Sequence, residues 1–312
     1  MSNYEDMIGA YKEAGGDPGV FKNVQCASLV VNKNRVLGKR KIKGIKIFRA
    51  EELPRGVRIK LVTQRGYKIE NPVYLCFGIL PQRGTQEIYV DLNVSDGSSL
   101  TLIAHCTFPN AIKIKHIMNA EFRVGKGASL GYHETHYHGQ KGGAEVLPRG
   151  RIYIEEGGRL ETSFTLIKGK VGKLRIDYEA RAKKKAIAEL IARVYGKGDD
   201  DIRIREKAIL DGPYAKSLIK TRVAVKNRAK TMAIGITEGN APFCRGHVDC
   251  IEIVQGKAQA KALPIVQVNN DKARVTHEAA IGRIDQKQLE TVMARGISQE
   301  EAIDVVVKGM LT

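Results

Sequence analysis

Short apolar runs separated by Gly, Asn or Asp recur along most of this chain, and within them apolar and polar residues often alternate. Ser28-Leu-Val-Val, Val57-Arg-Ile-Lys-Leu-Val, Val73-Tyr-Leu-Cys-Phe, Ile88-Tyr-Val-Asp-Leu, Leu100-Thr-Leu-Ile-Ala-His-Cys106, Ala120-Glu-Phe-Arg-Val and Arg151-Ile-Tyr-Ile-Glu read as strands. Leu174–Val194 has a helical face in Ile187, Leu190, Ile191 and Val194. It also has two period-2 runs, from Leu174 to Ala182 and from Ala186 to Val194, and these favour strands. The alternation returns in Ile219–Val225 and Ile251–Val254. Residues 3–14 predict a short helix, stopped by Gly15-Gly16-Asp17-Pro18-Gly19.

The pattern is mainly β. A sandwich or barrel satisfies it, but small Ala and Gly residues at inward positions and frequent turn residues suit a stacked solenoid better. Two helices close the chain. Asp285 with Gln288 caps the first, with Leu289, Val292 and Met293 on one face and Gly296 as its stop. Ser298 with Glu301 caps the second, with Ile303, Val306, Val307 and Met310 on one side. Helices this short are not stable alone and must pack on the β body or on a partner.

Composition removes several classes. No apolar run approaches a membrane-spanning length, and the start carries acidic residues where an export signal has an apolar core. Five cysteines, an odd number, fit free thiols in a reducing cytoplasm better than a disulfide framework. The net charge of +18 suggests nucleic acid, but the Lys and Arg residues are dispersed and there is no Trp to stack on bases. A basic surface for an acidic protein partner is the preferred reading, with a nucleic-acid-binding module as an alternative.

Candidate chemistry gathers late in the chain. Cys244-Arg-Gly-His247-Val-Asp-Cys250 precedes Thr276-His277-Glu278. Thiols, imidazoles and a carboxylate suit iron, zinc or sulfur chemistry, though a C-x5-C spacing is no zinc ribbon. Cys250 reads equally as a buried apolar cysteine, and Glu278 as an exposed cap. On one strand His277 and Glu278 point to opposite faces, so a joint site needs a turn or strand end there. The densest imidazole cluster is His133-Glu134-Thr-His136-Tyr-His138. As a strand it places Glu134, His136 and His138 on one face: an exposed histidine face, or a cupin-like metal site of an enzyme that needs a further ligand. Cys26 and Cys76 read as structural thiols in apolar strands. No Walker loop or dinucleotide-binding motif is present, so nucleotide energy would come from another chain.

Thr276-His-Glu-Ala-Ala-Ile-Gly-Arg-Ile-Asp-Gln-Lys-Gln-Leu-Glu and Ala294-Arg-Gly-Ile-Ser-Gln-Glu-Glu-Ala-Ile closely resemble the SufB/SufD family of iron–sulfur cluster assembly proteins. Pro72-Val-Tyr-Leu-Cys-Phe-Gly78 and His136-Tyr-His-Gly are similar to its short archaeal members. The resemblance implies a right-handed parallel β-helix over 23–280, between an N-terminal segment (1–22) and a C-terminal helical domain (281–312) that docks a SufC-type ABC ATPase. It implies a scaffold, not an enzyme, that holds a transient iron–sulfur cluster for apo recipient proteins. Cys250, Glu278 and His277 match the family's cluster ligands, with Cys244 and His247 as further candidates, and Cys106 matches its sulfur-accepting cysteine. A short SufB-like chain pairs with itself as a homodimer. Little of this chain matches the long N-terminal region of bacterial SufB proteins, which leaves flavin use open.

Overall fold

The computed structural model describes residues 3–311; Met1, Ser2 and Thr312, the outermost residues of the two expected end segments, lie outside it. After helix α1 (Asn3–Glu13) and a 3-10 turn (Pro18–Phe21) the chain is a succession of strands. They are β1 (Ser28–Asn32), β2 (Arg35–Arg40), β3 (Ile45–Leu53), β4 (Gly56–Thr63), β5 (Val73–Gly78) and β6 (Arg83–Val94). Then come β7 (Ser99–Phe108), β8 (Lys113–Val124), β9 (Ser129–His138), β10 (Ala144–Ile154), β11 (Arg159–Lys168), β12 (Gly172–Ala182) and β13 (Ile187–Gly196). The last are β14 (Asp201–Leu210), β15 (Lys216–Val225), β16 (Lys230–Gly239), β17 (Arg245–Val254), β18 (Gln259–Val268) and β19 (Arg274–Gly282), before α2 (Gln286–Met293) and α3 (Gln299–Leu311).

From β4 onward, successive strands fall alternately into two sheets. One runs β19-β17-β15-β13-β11-β9-β7-β5-β1-β2 and the other β18-β16-β14-β12-β10-β8-β6-β4-β3. From β5 in the first and β4 in the second, neighbours within a sheet are parallel, and paired residues lie 28 to 31 positions apart in sequence. The result is a β-solenoid of about eight turns, as the alternation predicts. In β13, Ala188, Leu190, Ala192 and Val194 are fully buried between the sheets while their neighbours face outward. Small Ala side chains let the sheets approach closely. The turns stack as well: Gly97, Gly127 and Gly157 occupy successive turns at φ near +60 to +70, where a side chain is strained.

The two ends of the solenoid differ. At the N-terminal end β2 and β3 fold back antiparallel on β1 and β4 and close both sheets. There α1 lies on the outer face, with Met7 and Tyr11 buried beside Val30 and Cys76. Cys26 is buried in the turn before β1, not in a strand as the sequence reading has it, because the regular ladder begins only at Ser28. At the C-terminal end β18 and β19 each pair on one side only, and none of their side chains is fully buried. Helix α3 returns to the outer face of the first sheet. Val307 and Leu311 are buried against Tyr195 and Ala224, and Tyr195 donates a hydrogen bond to Asp304 at 2.6 Å. The expected caps are present: Asp285 accepts from the Gln288 amide, and Ser298 and Glu301 bond reciprocally. No helix among the described residues is long and apolar enough to cross a membrane.

Candidate functional site

Parallel pairing stacks equivalent residues of each turn into rows. One inward row of the first sheet reads Ala104, Glu134, Phe164, Ala192, Thr221, Cys250, Ala279. The next reads Cys106, His136, Leu166, Val194, Val223, Glu252, Ile281. Polar side chains thus meet inside the solenoid at two levels. At roughly 4.8 Å per strand, Glu134 and Cys250 lie about 19 Å apart along their row.

The C-terminal level contains Cys250, Glu252 and Glu206. Cys250 is 4% exposed, and its thiol lies 3.7 Å from Glu252 Oε1. Burial, reinforced by the Glu252 carboxyl, pushes the Cys250 thiol up to about 12. Burial pushes Glu252 up to about 7 and Glu206 up to about 8; Glu206 accepts a hydrogen bond from Thr221 Oγ1 at 3.2 Å. Any thiolate chemistry at Cys250 therefore needs a metal or an opening of the end turn.

The sequence candidates divide across this end. His277 is in register with Val248 and shares the inward face with Cys250. Glu278 is in register with Asp249, on the outer face. Asp249 is held low by a bidentate bond from Arg222, with Nη1 to Oδ1 at 2.9 Å. Within one chain Cys250 and Glu278 thus lie on opposite faces of the sheet. His247 also faces outward, bonded through Nδ1 to Thr276 Oγ1 at 2.8 Å. Cys244 is sealed in the apolar core at the turn before β17.

The second level lies among β7, β8 and β9. Glu134, 1% exposed, accepts hydrogen bonds from His136 Nε2 at 2.7 Å, Tyr178 at 2.9 Å and Tyr132 at 3.1 Å, with the Cys106 thiol at 3.6 Å. Burial pushes its carboxyl up, but the bonds from His136 and Tyr178 outweigh this and hold it below the usual range. His116 reaches in from the opposite sheet. Gln86 donates its amide N–H groups to the carbonyls of Lys33 and Gly78, so Oε1 is the acceptor that faces His116 Nδ1 at 3.1 Å. His116 therefore carries its proton on Nδ1. Burial pulls this imidazole down to about 3, so it is neutral. Ligand atoms of Cys106, His116, Glu134 and His136 all lie within 4.8 Å of one another.

The shared face expected for Glu134, His136 and His138 is present, but it is buried, not exposed, because it points into the lumen, where the opposite sheet covers it. His133 faces outward onto Ser163. His138 is buried against Phe108 and stacked on His136. The partners absent from the sequence reading are Gln86, His116, Tyr132, Tyr178, Glu206 and Glu252. Counting a 30-residue period from Gln86 to His116 is the signal that finds the first pair. Cys106 is 1% exposed, and its thiol is raised well above the ordinary range by burial and by Glu134. A sulfur-entry role requires a donor to reach this enclosed thiol.

The family model described as "SUF system FeS cluster assembly, SufBD core domain" matches residues 83–310. An iron–sulfur cluster assembly SufBD family protein of Methanocaldococcus jannaschii is 40% identical over 306 residues, covering 98% of this chain and 96% of the relative. One of Pyrococcus horikoshii is 30% identical over 311 residues, covering 100% of this chain and 94% of the relative. The iron–sulfur cluster assembly protein SufB of Bacillus subtilis is 27% identical over 255 residues, 79% of this chain but 53% of the relative. Matched along nearly its whole length and built as a β-solenoid with two closing helices, the chain belongs to the SufB/SufD family of iron–sulfur cluster assembly proteins.

Proposed function

We propose that this protein is a scaffold on which nascent iron–sulfur clusters form at the C-terminal end of the solenoid, in a homodimer served by a SufC-type ABC ATPase. The observation that carries the reading is the position of Cys250. It is an inward thiol one strand from the edge of the sheet, screened by a last turn, β18 and β19, whose side chains are all exposed or half-buried. Ile265, Val268 and Ile281 on that turn are 45%, 49% and 49% exposed, on strands with unpaired backbone edges. A second copy adding its own edge strands satisfies those groups and buries those side chains. Cys250 and His277 then face one side of the seam. Glu278, on the outer face of its own chain, serves as a ligand across the seam or after the end strand shifts.

Few thiolates and exchangeable oxygen or nitrogen ligands favour release of the cluster to recipient proteins. Sulfur arrives as sulfide in this scheme, since Cys106 is enclosed. The ATPase docks on the exposed side of α2 and α3, where Val305 is 52% exposed, and its nucleotide cycle pulls on the end turn through α3. The test is anaerobic reconstitution with ferrous iron and sulfide. Wild type retains both with a cluster absorption band, and Cys250→Ala and Glu278→Ala lose them; undiminished iron and sulfide in Cys250→Ala overturns the assignment. The dimer is tested separately by light scattering. Ile281→Lys places a charge in the seam and yields monomer, whereas an unchanged mass rules out pairing through this edge.

A further inference from the structure

We propose that the solenoid interior holds one divalent transition-metal ion, iron or zinc, bound by Cys106, His116, Glu134 and His136. The site lies apart from the C-terminal seam and does not depend on the scaffold reading. Its four ligand atoms come from three strands and both sheets, and lie within 4.8 Å of one another. A tetrahedral zinc or iron site with bonds of about 2.0–2.3 Å has ligand–ligand edges of roughly 3.3–3.8 Å. Closing the set thus takes side-chain movements of about 1 Å, within rotamer adjustment.

The second observation is a free lone pair. His116 gives its Nδ1 proton to Gln86, and Nε2 is buried with no partner. His136 presents Nε2 to Glu134 at 2.7 Å, so an ion between them takes the place of that hydrogen bond. A buried polar atom without a partner costs about 1–3 kcal/mol; here His116 Nε2 is such an atom, on a ring that belongs to the cluster. His116 also has its other nitrogen fixed by Gln86, an acceptor outside the set, the arrangement that orients a metal-binding histidine, and His136 joins through Nε2, the nitrogen that already faces Glu134. Tyr132 and Tyr178 hold the carboxylate in place from both sheets.

The donor set selects the ion. One thiolate and two imidazoles exclude hard calcium and magnesium, and with a carboxylate they suit zinc or ferrous iron. One thiolate and one carboxylate neutralise a dication, so the complex is uncharged in an interior where net charge is costly. Binding releases one proton, from the Cys106 thiol. The ion joins β7 and β9 of one sheet to β8 of the other and so clamps the two sheets across the lumen.

The experiment refolds the full chain anaerobically with cobalt(II), ferrous iron or zinc, then desalts it and measures metal per chain. Wild type is expected to keep about one ion, with a thiolate-to-cobalt charge-transfer band, and to melt higher with metal than after chelation. Cys106→Ser and His116→Gln lose at least tenfold of the retained metal and the charge-transfer band, while Cys250→Ser keeps both. Chelated variants melting with chelated wild type establish that the fold is intact. X-ray absorption on loaded wild type, which needs no variant, is expected to find one sulfur and three lighter ligands. No retained metal in wild type, a metal shell without sulfur, or loss only in Cys250→Ser overturns the proposal. Iron or zinc in protein purified from cells decides which ion is native.

Discussion

Glu206→Gln stabilises the protein by about 3–5 kcal/mol at pH 8 and leaves it nearly unchanged at pH 4. The carboxyl is 1% exposed, and burial raises it to about 8, against an ordinary value of 4.5. The folded chain therefore keeps the proton over an interval in which the unfolded chain has released it. Protons bound in excess by the folded state make stability fall as pH rises, so the loss begins above about 4.5 and is complete near 8. At about 1.36 kcal/mol per pH unit this interval gives the stated magnitude. Gln keeps the hydrogen bond to Thr221 without a charge to bury. Glu252, raised to about 7, acts in the same direction and adds to the decline in wild type. Urea denaturation of both proteins at pH 4, 6 and 8 is the measurement; a difference that does not grow with pH removes Glu206 as the cause.

Phe164→Ala costs about 3–5 kcal/mol, the usual loss for emptying an aromatic site in a well-packed core. The ring is 1% exposed, sits in the inward row next to Glu134, and lies 4.7 Å from the His136 ring. Removing it leaves a cavity between the two polar levels and frees the His136 imidazole to turn. Ala192 and Thr221, the next two residues in the row, are too small to close the gap. Denaturant unfolding with an unchanged slope reads the loss directly. A cost below about 1 kcal/mol would mean the neighbouring turns collapse into the space.

Much of the fold was legible because a solenoid writes its period into every strand. Leu174–Val194 shows why: its Ala, Lys and Glu are poor strand formers, yet their alternation matches the pleat, and the turn at Lys183–Ala186 divides it into β12 and β13. The tail helices were legible from Asp285, Ser298 and Glu301, because capping is local chemistry. What fails is the assumption that apolar means inward. In Ile251-Glu252-Ile253 the acid faces the lumen, and Ile253 packs outward under the C-terminal helix. No local pattern announces that a helix will return to cover the outside of a sheet. His116 was missed for a related reason. Its partners arrive from adjacent turns, so a window along the chain sees a lone histidine where the register sees four ligands.

The unequal ends of the solenoid set the order in which it comes apart. A turn in the middle is held above and below, the first is folded over by reversed strands, and the last is gripped on a single side. Opening therefore begins at residues 259–282 and travels inward, like a stack of coins lifted from one end. The first interior side chains uncovered are those of β16 and β17, so Cys250 meets solvent through a partial melting that leaves the remaining turns, and the enclosed histidines among them, undisturbed.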